Sequence, residues 1–258
     1  FRDESTGEVY GTTQTRISSR DSLRAPHRLS IPFTISKPRL WWCNGEGEAY
    51  LYSLKLEVYV NNKPTQTLRW KTGFRTIELV QEKDNAGFSF YFKLNGKPVF
   101  AKGANYIPPD NFLPRVKTSD YQKIVADAAA ANMNMLRVWG GGVYADDAFY
   151  NACDSLGIMV WQDFMYACAM YPGDDAFVEN ATKEAVEQVL RLQSHSCMAL
   201  WCGNNEIDEG WMNWGWQKQY KYSATDSATI RKQYLAFFND LLPFIVRSYS
   251  GVPYWPSS

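Results

Sequence analysis

Histidine is nearly absent from this chain, with two in 258 residues, and cysteine occurs as an odd set of five without paired metal spacing. That scarcity argues against a zinc site. Cys43, Cys153, Cys168, Cys197 and Cys202 are expected as buried free thiols, because a free cysteine packs like a small hydrophobe. Neither histidine accompanies a recognisable serine or cysteine nucleophile motif, which excludes a readable hydrolytic triad. Charge of one sign is lacking too: Lys plus Arg and Asp plus Glu are both 27, with no basic block. A nucleic acid or an anionic membrane is therefore not expected as the main partner. No apolar run approaches the ~20 residues of a membrane span. No signal-like segment opens the chain, but Phe1 in place of Met suggests an internal or processed start, so export stays open and the compartment unassigned. What is abundant is aromatic: 16% of residues, with 10 Trp. Six of these, Trp139, Trp161, Trp201, Trp211, Trp214 and Trp216, fall in one stretch, which gives the excess a location.

Along the chain, residues 1–30 are polar and irregular, and a β region follows. Residues 31–35 and 50–60 alternate apolar and polar positions as half-buried strands do. Asn61-Asn62-Lys63-Pro64 interrupts, and a further strand is predicted from Leu68 to Val80. Residues 88–100 predict a hairpin, since Asn95-Gly96 suits a type I′ turn. Short strands with turn punctuation predict a sandwich over residues 1–80, incomplete at its start. After about residue 100 the period changes. Thr118-Ser119-Asp120 opens a helix, and further helices are predicted through Phe149 to Gly157, from Asp175 to Leu192, and over 226–247. Between them lie Met135–Trp139, Ile158–Trp161 and Cys197–Cys202, apolar on both faces, and Val252–Trp255 after them. Such strands alternating with helices predict a parallel sheet buried on both sides. Gly140-Gly141-Gly142 lacks the G-x-G-x-x-G spacing of a nucleotide fold. Polar and aromatic residues gather instead at strand C-termini, where barrel enzymes carry chemistry, so residues 81–258 are expected as the first part of a (β/α)8 barrel.

The strongest motif is Trp201-Cys202-Gly203-Asn204-Asn205-Glu206, an apolar strand ending in two amides and a carboxylate. Cleaving a glycoside requires a carboxylic acid kept protonated near neutral pH by partial burial, and Glu206 stands in a Trp-rich stretch. Asn205 can donate its amide to a sugar hydroxyl. The blander reading of Glu206 is a helix-start carboxylate favoured by the dipole. Asp163, after another strand, can accept from two sugar hydroxyls or pair internally with Arg137, which sits on an apolar strand and needs a partner. Trp139, Trp211 and Trp214 are aromatic-platform candidates, with the site favoured for Trp139 and Trp214. Mid-strand Trp161 and Trp201 are expected in the core. The sequon Asn180-Ala181-Thr182 falls inside a predicted helix and is read as chance.

These segments resemble glycoside hydrolase family 2, and within it the β-mannosidases. The resemblance rests on Arg137-Val138-Trp139-Gly140-Gly141-Gly142, Trp161-Gln162-Asp163-Phe164, Ala167-Cys168-Ala169-Met170-Tyr171-Pro172 and Trp201–Glu206. Thr72-Gly73-Phe74-Arg75-Thr76-Ile77 and Lys102-Gly103-Ala104-Asn105-Tyr106-Ile107-Pro108 add to it, so that it runs from about residue 38 onward. It implies a multi-domain β plus α/β chain: the end of an immunoglobulin-like β-sandwich followed by the first half of a (β/α)8 TIM barrel. It further implies a retaining exo-β-mannosidase that removes terminal β-mannose from β-mannosides or mannose-containing oligosaccharides. Glu206 becomes the acid/base, Asn205 the sugar-binding amide, and Trp139, Asp163 and Trp214 pocket residues, with Arg137 and Asn204 in support. No metal or organic cofactor is implied.

One departure from the family pattern is large. Its nucleophile lies on a late barrel strand, and none of Asp208, Glu209, Asp226 or Asp240 ends an apolar strand here. The two carboxylates of a retaining enzyme stand ~5–5.5 Å apart in one site. The chain is therefore expected to be a fragment, inactive alone, that needs the remainder of the same polypeptide to complete the barrel. Isolated, it is expected to associate or be only partly ordered, because a half barrel has open edges. Two alternatives stand beside this reading: another family 2 activity, such as β-galactosidase or β-glucosaminidase, and a non-catalytic carbohydrate-binding module.

Overall fold

The computed structural model describes residues 32–258, together with Val9, Thr13 and Gln14. Expectations for residues 1–31 otherwise fall outside the described residues. Residues 32–35 form no strand. The first regular element is a two-stranded antiparallel ribbon, β1 (Tyr52–Val60) and β2 (Lys63–Thr72). Asn61 and Asn62, at φ 52 and 60, make the turn between them, so the interruption expected over 61–64 is two residues long. Asparagine tolerates that left-handed backbone better than other side chains. A register shift at Val58/Tyr59 accommodates Pro64. The single strand expected from Leu68 to Val80 is two: β2 ends at Thr72, and β3 (Ile77–Val80) starts a different sheet. β3 pairs with β4 (Tyr91–Leu94), which pairs with β5 (Lys97–Val99) across the Asn95-Gly96 turn. This three-stranded sheet straddles residue 80.

Five parallel strands follow: β6 (Gly103–Tyr106), β7 (Met135–Val138), β8 (Met159–Asp163), β9 (Met198–Cys202) and β10 (Tyr254–Trp255). They lie in strictly sequential order, with no reversal of direction of winding. All five residues of β9 are buried, the signature of a strand covered on both faces.

Helices connect the strands. α1 (Thr118–Ala130) begins one residue earlier than a Thr118 cap would require: Lys117 is the N-cap, and its backbone N–H donates to Asp120 Oδ2. α2 (Asp147–Leu156) starts at Asp146, whose carboxylate accepts from Ala148 N, and stops at Gly157 with φ 70. α3 (Asp175–Leu192) buries Ala181, Ala185, Val189 and Leu192, one stripe at helical spacing. Burying a Val or Leu of this kind stabilises by about 1.5–3 kcal/mol. α4 (Ile207–Met212) and α5 (Trp216–Gln219) are short. The helix expected over 226–247 is α6 (Ala224–Leu235) and α7 (Leu242–Tyr249), joined by a π-helical segment, Ala236–Leu241. The π turn presents two consecutive buried rings, Phe237 and Phe238, to Tyr166 at 5.3 and 5.5 Å. It also leaves the Phe238 carbonyl to accept from the Tyr254 hydroxyl, which ties the helix to β10.

The N-terminal part is docked to the base of the parallel sheet. Trp41 Nε1 donates to Asp154 O at 2.7 Å, and the Asn44 amide donates to Ala129 O and Met133 O. Arg75 is half-buried and donates to the carbonyls of Ser196 and Met198 at the entry to β9. Burial pushes its pKa down, yet a guanidinium keeps its charge at neutral pH.

Candidate active site

The C-terminal ends of β7 and β8 converge on one side chain, Asp163. Its carboxylate, with no exposed surface, accepts from Arg137 Nε (3.2 Å) and Nη2 (2.7 Å), from Gly140 N (3.0 Å) and from Trp161 Nε1 (2.9 Å). Burial raises its pKa, while Arg137, Gly140 and Trp161 pull it back. Four donors fill the lone-pair positions of two oxygens. Asp163 thus has the surroundings of an internal ion pair, with no acceptor capacity left for two sugar hydroxyls.

Arg137 extends the network. Its Nη2 also donates to Asn205 Oδ1 and Ser258 Oγ, each at 2.8 Å, so two hydrogens serve three acceptors. Because the Asn205 carbonyl faces Arg137, its amide nitrogen faces the other way. Nδ2 lies 3.2 Å from Glu206 Oε2 and 3.3 Å from Cys168 Sγ. The Cys168 thiol in turn donates to Glu206 Oε2 at 3.6 Å. One strip of contacts therefore runs from Asp163 through Arg137 and Asn205 to Glu206.

Backbone geometry sets Glu206 apart from an ordinary helix-start carboxylate. It is the N-cap of α4 but makes no side-chain cap bond. Asn204 does the capping, accepting from Ile207 N at 3.0 Å. Glu206 has φ 58, a left-handed conformation that disfavours a side chain, and so does Cys168 at φ 49. Two strained non-glycine residues in mutual contact mark a place where the fold holds side chains against local preference. The loop after β8 is laced to the chain after β9 by Asn205 N donating to Tyr166 O (2.9 Å) and Cys168 N to Asn205 O (3.1 Å).

Asn204 is fully buried and saturated. Beyond the cap, its Nδ2 donates to Pro256 O (3.0 Å) and the Tyr234 hydroxyl (3.3 Å), and its Oδ1 accepts from Ser257 Oγ (2.7 Å). It fastens β10's exit to α4 and has no atom free for a ligand.

Among the aromatic candidates, Trp139 is half-buried at the end of β7, its indole folded over Gly141, where an added Cβ would stand 1.9 Å from the ring. At Gly140 the obstacle is backbone: a Cβ would meet Phe164 O at 2.6 Å. Trp214 is 48% exposed and edge-on to Trp216 at 5.9 Å. Trp211, also weighed as a platform, is 5% exposed and stacks on Tyr222, which places it in the core. Trp201 is core as expected, 1% exposed and stacked on Phe164. Trp161 differs from expectation: it is half-buried, its indole N–H spent on Asp163, with Phe90 5.9 Å from its ring. No hydrogen bond or ring contact joins Trp139 or Trp214 to the Asp163–Glu206 strip among the described residues.

With this geometry in view, residues 3–75 match the family description "Glycosyl hydrolases family 2". The "Beta-mannosidase" of Bos taurus is 46% identical over 178 residues, 68% of this chain and 20% of the relative. The "Beta-mannosidase B" of an Aspergillus fumigatus strain is 37% identical over 234 residues, 88% of this chain and 27% of the relative. The crystal structure of the Beta-D-Mannosidase from Dictyoglomus thermophilum matches with a TM-score of 0.80 and 43% identity, over 89% of this chain and 27% of that one. The chain belongs to glycosyl hydrolase family 2. It spans 20 to 27% of the length of these relatives.

Two features of this family 2 chain escaped sequence reading. Four cysteines are buried as expected, but Cys168 is exposed and touches Glu206. Its segment carried part of the family resemblance, yet no spacing rule assigns a thiol beside a carboxylate 38 residues away. The other is a metal-like grouping of Asp154, His195 and Cys197. Asp154 already holds the other two, with His195 Nδ1 2.7 Å from its Oδ2 and the Cys197 backbone N–H donating to its Oδ1 at 2.8 Å, while the Cys197 thiol donates to Tyr150 O at 3.7 Å. Burial holds the Cys197 thiol well above its ordinary pKa, which disfavours the thiolate a metal requires. The group sits at the entry to β9, the opposite end of the strand from Glu206.

Proposed function

We propose that the protein to which this chain belongs is a retaining, exo-acting β-mannosidase with Glu206 as its general acid/base. The single observation that supports this most is the placement of Glu206 beyond the end of β9, its side chain turned from the helix it starts and held by Asn205 and Cys168. Names of relatives at 37 to 46% identity supply the sugar. In the first step Glu206 gives its proton to the glycosidic oxygen while a second carboxylate attacks the anomeric carbon and the aglycone leaves. In the second, Glu206 takes a proton from water, which displaces the enzyme carboxylate and frees the sugar. Asp163 and Asp208 are engaged with Arg137 and Arg231, so the nucleophile is assigned to a part of the protein beyond this chain. Asn205 is the proposed ligand of a sugar hydroxyl, and Trp139 and Trp214 are proposed to line the mannose pocket. Arg137 and Asn204 are supporting residues.

The proposed architecture is an immunoglobulin-like sandwich over residues 1–80 and the first half of a (β/α)8 barrel over 81–258. The family match at 3–75 supports the former. Sequential order of β6 to β10 supports the latter, because a doubly wound sheet reverses its order at a switch point.

Hydrolysis of a panel of aryl β-glycosides by the full-length protein tests the reading. Mannosides should be cleaved fastest, and equal or better cleavage of galactosides overturns the sugar assignment. Glu206→Gln should lower kcat by roughly 10²–10⁴-fold on a poor leaving group. An unchanged rate removes Glu206 from the mechanism, and a wild type inactive on the whole panel points to a non-catalytic module.

A further inference from the structure

The donors around Asp163 and the orientation of Asn205 belong to one device. Asp163 has no exposed surface and four bonded donors, so it reaches no ligand. Its bidentate hold on Arg137 aims Nη2 at Asn205 Oδ1, 2.8 Å away. An amide that accepts from a guanidinium on one side must present its NH2 on the other, and here that side is Glu206 Oε2 and Cys168 Sγ. Flipped, the amide would set its oxygen against the carboxylate oxygen and its NH2 against a cation, losing both contacts.

We propose that Asp163 is a positioning residue for the glycosidase reaction: through Arg137 it fixes the amide orientation of Asn205, which in turn holds the Glu206 carboxyl where the leaving oxygen will be. This rests on the glycosidase reading above and replaces direct sugar binding by Asp163. The same carboxylate accepts from Gly140 N–H, so it also anchors the turn that follows Trp139. Charge-assisted bonds at 2.7 and 2.8 Å make the first two steps of the relay stiff, the third being the 3.2 Å contact of Asn205 Nδ2 with Glu206 Oε2, and side chains held within about 0.5 Å are what transfer chemistry requires.

The test uses the full-length protein and whichever aryl β-glycoside of the panel the wild type cleaves fastest. A protein that prefers another sugar then overturns the mannoside reading and leaves this test intact. Two aglycones are compared, a dinitrophenolate that departs without a proton and a simple phenolate that needs one. Asp163→Asn should lower kcat/KM, which reports the leaving-group step alone, by roughly 10- to 100-fold on the phenyl glycoside, with a smaller loss on the dinitrophenyl glycoside and little change in KM for the phenyl glycoside. Adding it to Asn205→Ala should cost nothing beyond Asn205→Ala alone, since the relay is already cut. Removing one charge of a buried pair also threatens folding, so R137M/D163N, which neutralises both, is the companion variant. It should restore the melting temperature lost in Asp163→Asn without restoring activity on the phenyl glycoside. A rise in KM at constant kcat, losses that multiply with Asn205→Ala, equal losses on both aglycones, or recovery of activity in R137M/D163N would each overturn the proposal.

Discussion

At the scale of single residues, the site is built by denying side chains their local preferences. Glu206 and Cys168 accept left-handed backbone, which costs a non-glycine residue about 1–2 kcal/mol each. In exchange the Glu206 carboxylate leaves the N-terminus of α4 and meets Asn205 and Cys168. Gly141 shows the converse case, where the absence of a side chain lets the Trp139 indole lie flat over the backbone. Gly141→Ala should push that ring aside. If Trp139 carries a sugar face, KM for the preferred aryl glycoside rises about 10-fold, in keeping with the ~1–3 kcal/mol of a displaced aromatic contact. Because Gly141 is exposed, the melting temperature should hardly change, and steady-state kinetics beside a thermal melt separates the two effects.

At the scale of elements, the junction of β9, α4 and β10 depends on Asn204. One buried amide caps α4 through Ile207 N–H and binds Pro256 O, Ser257 Oγ and the Tyr234 hydroxyl. Asn204→Ala leaves the buried Ile207 N–H and Tyr234 hydroxyl, and the half-buried Pro256 and Ser257 oxygens, without that partner, a loss of about 2–3 kcal/mol in local stability. Hydrogen exchange of the full-length protein should report faster opening across residues 204–212 and 253–257, with α1 and α2 unaffected. Uniform acceleration would mean that the amide holds more than this junction. Elements were legible where one signal dominated: the stripe Ala181, Ala185, Val189 and Leu192 defines α3, and Gly157 ends α2. The split between β2 and β3 was not legible, because both halves carry strand-forming residues and only their pairing with different partners separates them.

For the whole molecule, buried thiols and phenols govern the alkaline limit. Burial pushes Cys43 from 9.0 up to about 11 and raises Cys153, Cys197 and Cys202, as it does Tyr106, Tyr150 and Tyr166. These groups keep their protons in the folded chain at pH values where the unfolded chain has released them. Their contribution to stability is whole below the ordinary thiol value and is lost as pH rises through it towards the folded values. Peptide-mapped alkylation of the full-length protein should modify Cys168 first, with the four buried cysteines reacting only above ~pH 10 as unfolding sets in. Uniform labelling of all five at ~pH 8 would contradict the burial described here.

The sequence by itself determined the strands β7 to β10 and the helices α1 to α3, though not β6, α4 or α5, together with the carboxylate at the end of the β9 strand and the family, because each is carried by contiguous residues: a period, a strand-end motif, a matched segment. Arg137 could be seen to need a partner, since a charge on an apolar strand cannot be left unpaired. Which partner, and what that pairing leaves free, only the tertiary structure decided. Asp163 is 26 residues from Arg137, and whether it serves sugar or arginine depends on how many donors converge on it in space. The same holds for Cys168, 38 residues from Glu206, and for Trp161, whose N–H turns a predicted core ring into a support for the site. Contacts between side chains on neighbouring parallel strands leave no periodic trace, because the crossover that brings them together has a minimum length of about a dozen residues but no fixed one.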